Sequence, residues 1–220
     1  MKKGFPKRSY YRQASMLALF KSIKTLFYIF LFLLFFSLEV QAQTEIDKCY
    51  NYLDAQEYQR AIESGKRAVK LYSKNVNAYF CLGMTYFKVG ELKLALSSIR
   101  NAEKLATSKT DLTGIYSWLG LIYEKMGDFD NAFLYYSKSL SLAKDIGDRK
   151  AEAFMLTNIA ETFRQRGEYD KALKYYEESL KLQYDEKGKA PVYNNIALVY
   201  SAKGDLKKSY RVSGKSDRNL

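Results

Sequence analysis

Residues 113–140 read TGIYSWLGLIYEKMGDFDNAFLYYSKSL, and their spacing decides the fold. Tyr116, Leu119, Gly120 and Tyr123 recur at steps of three and one, then three, which places them on one face of a helix. Gly127-Asp128-Phe129 then stops one helix and starts another. Glycine takes the left-handed conformation that ends a helix, the aspartate oxygen caps the next, and the aromatic re-enters the core. Ala132 follows, with Tyr136 and Ser139 four and seven positions on. A small residue lets two backbones approach while larger neighbours fill the space beside it. The stretch therefore predicts helix, tight turn, helix.

The same arrangement echoes through the chain. The small residue recurs at Ala61, Ala95, Ala132, Ala172 and Ser209, at steps of 34, 37, 40 and 37. Turns align with it at Gly90-Glu91-Leu92, Gly167-Glu168-Tyr169 and Gly204-Asp205-Leu206, with Gln56-Glu57-Tyr58 as a degenerate first copy. Upstream lie Tyr79, Leu82-Gly83 and Tyr86; Leu156, Ile159-Ala160 and Phe163; and Tyr193, Ile196-Ala197 and Tyr200. Downstream, Ile99 and Ala102, or Tyr176 and Ser179, follow the small residue. A period of this length means stacked units, each covering a neighbour's apolar face.

The pattern resembles the tetratricopeptide repeat over residues 45–212, in four good or fair copies and one weak one. The resemblance implies an all-α fold: antiparallel helix pairs stacked as a right-handed superhelical solenoid of about four and a half repeats. It also implies a concave groove, lined by the first helix of each pair, that binds a peptide or protein segment. The repeats fall at approximately 43–75, 76–109, 113–149, 153–189 and 190–212, with a polar tail at 213–220. Steps of 37–40 are similar to the long-repeat branch typified by kinesin light chain and by exported bacterial arrays. There, an asparagine on the groove face often hydrogen-bonds the backbone of a bound peptide.

Two copies depart from the pattern. The first has Lys48-Cys49 where a Leu-Gly pair is usual. The last begins its second helix at Lys207-Lys208-Ser209-Tyr210 and reaches Gly214-Lys215-Ser216-Asp217-Arg218 barely two turns later. Such a half repeat is a short cap, or is covered at Ile196, Val199 and Tyr200 by another chain through self-association, or belongs to a relative of a longer receptor.

Residues 1–42 form a leader of different character. Lys2, Lys3, Lys7, Arg8, Arg12, Lys21 and Lys24 precede an apolar run from Leu26 to Leu38, and Val40-Gln41-Ala42 follows. This is the layout of a secretory signal peptide cleaved after Ala42, with Met16 an alternative start. The 13-residue run makes a helix of about 20 Å against a hydrocarbon core of about 30 Å. The competing reading is an uncleaved anchor over residues 23–42, compromised by Glu39, and membrane contact is expected only through that segment. Both place the repeats outside the cytoplasm, in the periplasm or associated with the cell envelope. Removing the leader lowers the net charge from +12 to +6, leaving 29 basic and 23 acidic residues. The remaining Lys and Glu are interspersed, and no basic stripe with interleaved aromatics argues for nucleic acid.

The chain contains no histidine, which removes the commonest general base and zinc ligand. No GxGxxG, phosphate-binding loop or CxxC occurs. The expectation is a protein that is not an enzyme and takes no cofactor or metal. Asp128, Glu168 and Asp205 are assigned to helix caps, and Glu177-Glu178 to an exposed face. Cys49 and Cys81 fall where small buried residues are expected and are read as free thiols, a disulfide permitted by export being the alternative.

The groove is the functional candidate. The first-helix residues turned away from their partners are Asn77, Phe80, Cys81, Met84 and Phe87; Ser117, Trp118, Leu121 and Glu124; Thr157, Asn158, Glu161 and Arg164; and Asn194, Asn195, Leu198 and Ser201. From these, Phe80, Met84, Phe87, Trp118 and Leu121 make an apolar half, and Asn158, Glu161, Arg164, Asn195 and Leu198 a more polar one. An amide donates and accepts at once, so Asn158 and Asn195, matching the asparagine of the long-repeat branch, suit an extended backbone; bonds to loops or to each other are the alternative. Trp118 is either a binding hot spot or packing between first helices, and Glu161 with Arg164 reads as a surface ion pair. Function is expected to be non-enzymatic: a scaffold or assembly factor holding a peptide or protein ligand, with the sensory region of a truncated signalling receptor as the alternative.

Overall fold

The structure, a computed structural model, describes residues 7–183 and 186–217. Ten helices and no strand occupy them: α1 (Lys7–Asp54), α2 (Tyr58–Leu71), α3 (Val76–Lys88), α4 (Leu92–Leu105), α5 (Lys109–Lys125), α6 (Phe129–Ile146), α7 (Arg149–Gln165), α8 (Tyr169–Leu182), α9 (Glu186–Ala202) and α10 (Leu206–Asp217). The C-terminal part of α1 pairs with α2, α3 with α4, α5 with α6, α7 with α8 and α9 with α10. Each second helix packs on the first helix of the following pair. The result is the expected all-α superhelical solenoid.

Close helix approach explains the pairing. Ala61, Ala95, Ala132 and Ala172 are fully buried. A Cβ on Gly83 would lie 2.5 Å from the Ile99 side chain, and one on Gly120 would lie 2.5 Å from the Tyr136 ring. Both glycines are thus the space into which a large second-helix residue fits. The first pair reverses the sizes, with Cys49 on α1 in the glycine place and Gly65 on α2 opposite; a Cβ on Gly65 would lie 3.3 Å from the Cys49 sulfur. Ser139 and Ser179 tie the helices further, donating to the carbonyls of Thr113 at 2.7 Å and Ala153 at 2.8 Å.

Turn chemistry follows the same register. Gly127 has φ of 77°, and in the degenerate first copy Gln56 takes the left-handed conformation at φ of 60°. Asp128 accepts from the Asn131 amide at 3.1 Å and Asp205 from the Lys208 amide at 3.1 Å, as capping requires. Glu168 does not cap: its longer side chain turns to Lys171 at 2.6 Å and Arg166 at 2.7 Å.

Two expectations are corrected at the ends. Cys49 and Cys81 are buried but not free: they form a disulfide with Cα atoms 6.4 Å apart, because α1 and α3 are neighbouring first helices. At the other end α10 has 12 residues and continues through Gly214, so residues 213–217 are helix rather than a tail. It is held by α9, with Ser209 donating to the Ala197 carbonyl at 2.9 Å and Lys208 and Lys215 lying over the rings of Tyr200 and Tyr193. Ile196 and Val199, for which cover by another chain was one of the alternatives, are already buried within this one.

The leader helix runs unbroken into the first pair. Ala42 is 1 % exposed, and Ile46 packs with Ala68 and Ala78 of α2 and α3. The apolar residues from Leu26 to Leu38 stand exposed, and the stretch Lys21–Asp54 is long and apolar enough to cross a membrane, a property shared by export signals.

Gly→Ala in a helix ordinarily stabilises by about 1 kcal/mol. Gly120→Ala is expected to reverse that sign, lowering stability by roughly 1–3 kcal/mol in urea unfolding as the methyl meets Tyr136. Reduction of the Cys49–Cys81 bridge, which closes a separation of 32 residues, is expected to cost about 2–4 kcal/mol by the same measurement.

Candidate functional site

The apolar half of the groove is built by α3 and α5. Trp118 meets Phe87 edge to face at 5.5 Å between ring centroids and Phe80 at 6.4 Å. It therefore packs between adjacent first helices while keeping part of its surface exposed, as do Phe80, Met84, Phe87 and Leu121. Beside Phe80 opens a cleft of about 180 Å³, bordered by Tyr50, Asn77, Asp111 and Gly114. A Cβ on Gly114 would stand 3.7 Å from the Phe80 ring, so the glycine helps keep this space open. Burial pushes the Tyr50 hydroxyl up to about 12. Cys81 lies in the disulfide instead of lining the groove.

The polar half is a hydrogen-bonded network. Tyr136, buried on α6 against Gly120, donates to Glu124 Oε2 at 2.9 Å. Tyr176, its counterpart on α8, donates to Glu161 Oε2 at 2.9 Å. The Gln165 amide bridges both carboxylates, at 2.9 Å to Glu124 and 3.0 Å to Glu161. Arg164 completes the node, donating from Nε to Glu161 at 2.8 Å and from a second nitrogen to Oε1. The Glu161–Arg164 pair is thus one member of a network spanning α5 to α8. Tyr136, Gln165 and Tyr176 join the candidate site only in the structure, and Glu124, read from the sequence as groove-facing, is tied to them. The available signal was Tyr136 and Tyr176 occupying one column opposite Gly120 and Ala160.

The two carboxyls are shifted in opposite directions. Burial, reinforced by the Glu161 charge, raises Glu124 above the ordinary carboxylate value despite its hydrogen bonds from Tyr136 and Gln165. Burial acts upward on Glu161 too, but the hydrogen bonds from Arg164, Gln165 and Tyr176 outweigh it and hold that carboxyl low. Both tyrosine hydroxyls are pushed up, by burial first and then by the neighbouring carboxylates.

Residues 111–185, which contain this network, match the family model described as Tetratricopeptide repeat. Tetratricopeptide repeats thus occupy this part of the chain. The chain is 26% identical over 87 residues to anaphase-promoting complex subunit 3 of Schizosaccharomyces pombe, a match covering 40% of this chain and 13% of that relative. The chain thus spans a small part of that protein's length. The MamA protein crystal structure superposes with a TM-score of 0.63 at 21% identity, covering 81% of this chain and 91% of MamA. The Rap conjugation gene regulator of plasmid pLS20, solved in complex with a peptide, gives a TM-score of 0.64 at 17% identity, covering 82% of this chain and 53% of that one. At these identities the structures share the fold.

Within the tetratricopeptide array, Asn158 on α7 and Asn195 on α9 occupy equivalent positions 37 residues apart and are partly buried. Among the described residues neither side-chain amide has a protein partner, so the alternative of loop bonding is not what the structure holds. Leu198, three residues after Asn195, is 55 % exposed. The structure therefore joins Phe80, Phe87 and Trp118 by ring contacts and Glu161 with Arg164 by hydrogen bonds, while the two asparagines stay open.

The opposite shifts give opposite pH behaviour. A raised carboxyl binds its proton more tightly in the fold, so Glu124 withdraws stability as pH climbs from about the unfolded value through its folded one. Glu124→Gln is expected to make the protein relatively more stable at pH 7 than at pH 4, compared with wild type. Glu161 is lowered, so its contribution is present above the unfolded value and lost as pH falls through the folded one. Glu161→Gln is expected to destabilise at pH 7, with the difference shrinking toward acid. Urea unfolding of both variants across that range checks the signs.

Proposed function

We propose that the protein is a non-enzymatic binding scaffold that acts outside the cytoplasm and holds a segment of a partner protein in the groove of its first helices. The observation that carries this reading is the open pair Asn158 and Asn195. Both side chains are partly buried with their amide groups open to solvent, and two at equivalent positions on consecutive first helices suit the alternating donors and acceptors of an extended backbone. The half-exposed Phe80, Phe87 and Trp118 beside the cleft supply an apolar anchor at one end. The Glu124–Gln165–Glu161 network supplies a polar surface farther along. A peptide held by the Rap regulator, on a similar fold, is consistent with a segment bound here.

Action outside the cytoplasm is supported by the apolar stretch of α1 and by the Cys49–Cys81 bridge, which persists in an oxidising compartment. The burial of Ala42 in the first pair supports retention of the preceding segment as an anchor over a cut after Ala42.

Selection of a displayed random-peptide library on the purified, oxidised protein tests the groove. Selected peptides are expected to carry an apolar anchor and to lose about tenfold or more in affinity with Asn158→Ala and Asn195→Ala combined, at unchanged helicity. Unchanged affinity in that variant contradicts the assignment.

A further inference from the structure

The turn between α2 and α3 lies where the apolar run of α1 meets the array. No linker separates the two: Glu39 closes the apolar run after Leu38, and Ala42, three residues on, is already buried in the first pair. α2 runs antiparallel to this part of α1, with Gly65 opposite Cys49 and Ala68 against Ile46. Its last turn therefore returns to the level of Ala42, facing the apolar run. Tyr72, the residue that ends α2, meets Phe35 edge to face with ring centroids 6.4 Å apart. Phe35 lies four residues before Glu39, about 6 Å along the helix. The rings thus stand at the depth where a span of this run passes from hydrocarbon to headgroups. Tyrosine is favoured in that layer, its ring in an apolar setting and its hydroxyl in water.

Charge says which lipid surface. Residues 64–78 hold Lys66, Arg67, Lys70 and Lys74 and no acidic residue. Arg67 is taken by Glu45, to which it donates at 2.7 Å. Lys70, in the last turn of α2, and Lys74, two residues after Tyr72, are exposed. Among the described residues neither is paired with a carboxylate. The turn that carries them is fixed at both ends. The Tyr72 amide donates to the Ala68 carbonyl at 2.9 Å, and the Asn75 side chain caps α3 by accepting from the Ala78 amide at 3.1 Å. Two uncompensated ammonium groups and an aromatic ring are therefore held together beside an apolar helix. A bilayer with anionic headgroups uses all of them at once, the ring at the interface and the cations at the phosphates.

We propose that the turn between α2 and α3 rests on anionic phospholipid, with Tyr72 in the interfacial layer beside Phe35 and Lys70 and Lys74 at the headgroup phosphates. The contact extends membrane binding from the apolar segment to the first repeat and holds the array against the bilayer surface. It rests on retention of the anchor and takes no part in the groove.

Quenching of tryptophan fluorescence by brominated lipid tests this on the full chain. Trp118, the single tryptophan, is removed as Trp118→Phe, and either Phe35→Trp or Tyr72→Trp is added, so that one ring reports the anchor and the other the turn. The bilayer is phosphatidylcholine brominated in the upper acyl chain, with or without phosphatidylglycerol. Both reporters are expected to be quenched relative to unbrominated lipid. Quenching of Tyr72→Trp is expected to rise when phosphatidylglycerol is present, and Lys70→Gln combined with Lys74→Gln is expected to lose that rise. Since both lysines are exposed, circular dichroism of the combined variant is expected to match wild type. Quenching at Phe35→Trp with none at Tyr72→Trp overturns the proposal and leaves the anchor standing. Quenching at neither removes the anchor, and the proposal with it. Quenching of Tyr72→Trp that is indifferent to phosphatidylglycerol and to the two lysines overturns the assignment to anionic headgroups.

Discussion

The close approach of two helix backbones within each pair is the constraint on which the rest of the molecule depends. Ala61, Ala95, Ala132 and Ala172 have no exposed surface, and Gly83 and Gly120 have no room for a methyl group. Because Gly120 yields that space, the Tyr136 ring crosses above it and its hydroxyl emerges beside Glu124 on the groove side. Tyr176 does the same for Glu161. Core packing and the electrostatics of the first-helix face are therefore one arrangement: the ring fills the core, and the hydroxyl fixes a carboxylate at its edge. The network is satisfied within the protein, whereas the amides of Asn158 and Asn195 are open to solvent, and the proposed binding of a ligand backbone rests on that contrast.

The first and last of the described helix pairs are held together differently. At the first pair the sizes are exchanged between Cys49 and Gly65, and a covalent bond to Cys81 ties the first helix of that pair to the next. A constraint on the unfolded chain thus reinforces the first pair. At the last pair α10 is held to α9 by Ser209 and by two lysines over tyrosine rings. One pair is stapled by a covalent bond, the other by a hydrogen bond and cation–ring contacts.

The parts of the fold written in short-range spacing were legible in the sequence. The small column, the glycine turns and the five helix pairs follow from steps of three, four and about 37 residues, because each is a statement about one helix face or one turn. What depends on the distance between helices far apart in sequence was not. The bridge between Cys49 and Cys81 requires knowing that α1 and α3 lie side by side with both sulfurs facing. The role of Glu161 requires Tyr176 from another helix and Gln165 reaching back to Glu124, so the adjacent Arg164 alone made it look like a surface pair. Glu168 shows the limit within a single turn: a side chain one methylene longer than Asp128 prefers Lys171 and Arg166 over the free amides. Gly214 read as a stop, yet a single glycine costs a helix only about 1 kcal/mol, and packing on α9 carries α10 past it.

The central claim is that the face of the first helices is the binding surface, and side-chain footprinting by hydroxyl radicals tests it most directly. With a peptide from the library selection bound, Met84, Phe87 and Trp118 are expected to lose reactivity, while the exposed second-helix residues Leu94 and Leu134 keep theirs. Protection of Leu94 and Leu134 with Met84, Phe87 and Trp118 unchanged would place the ligand on the opposite face and contradict the claim.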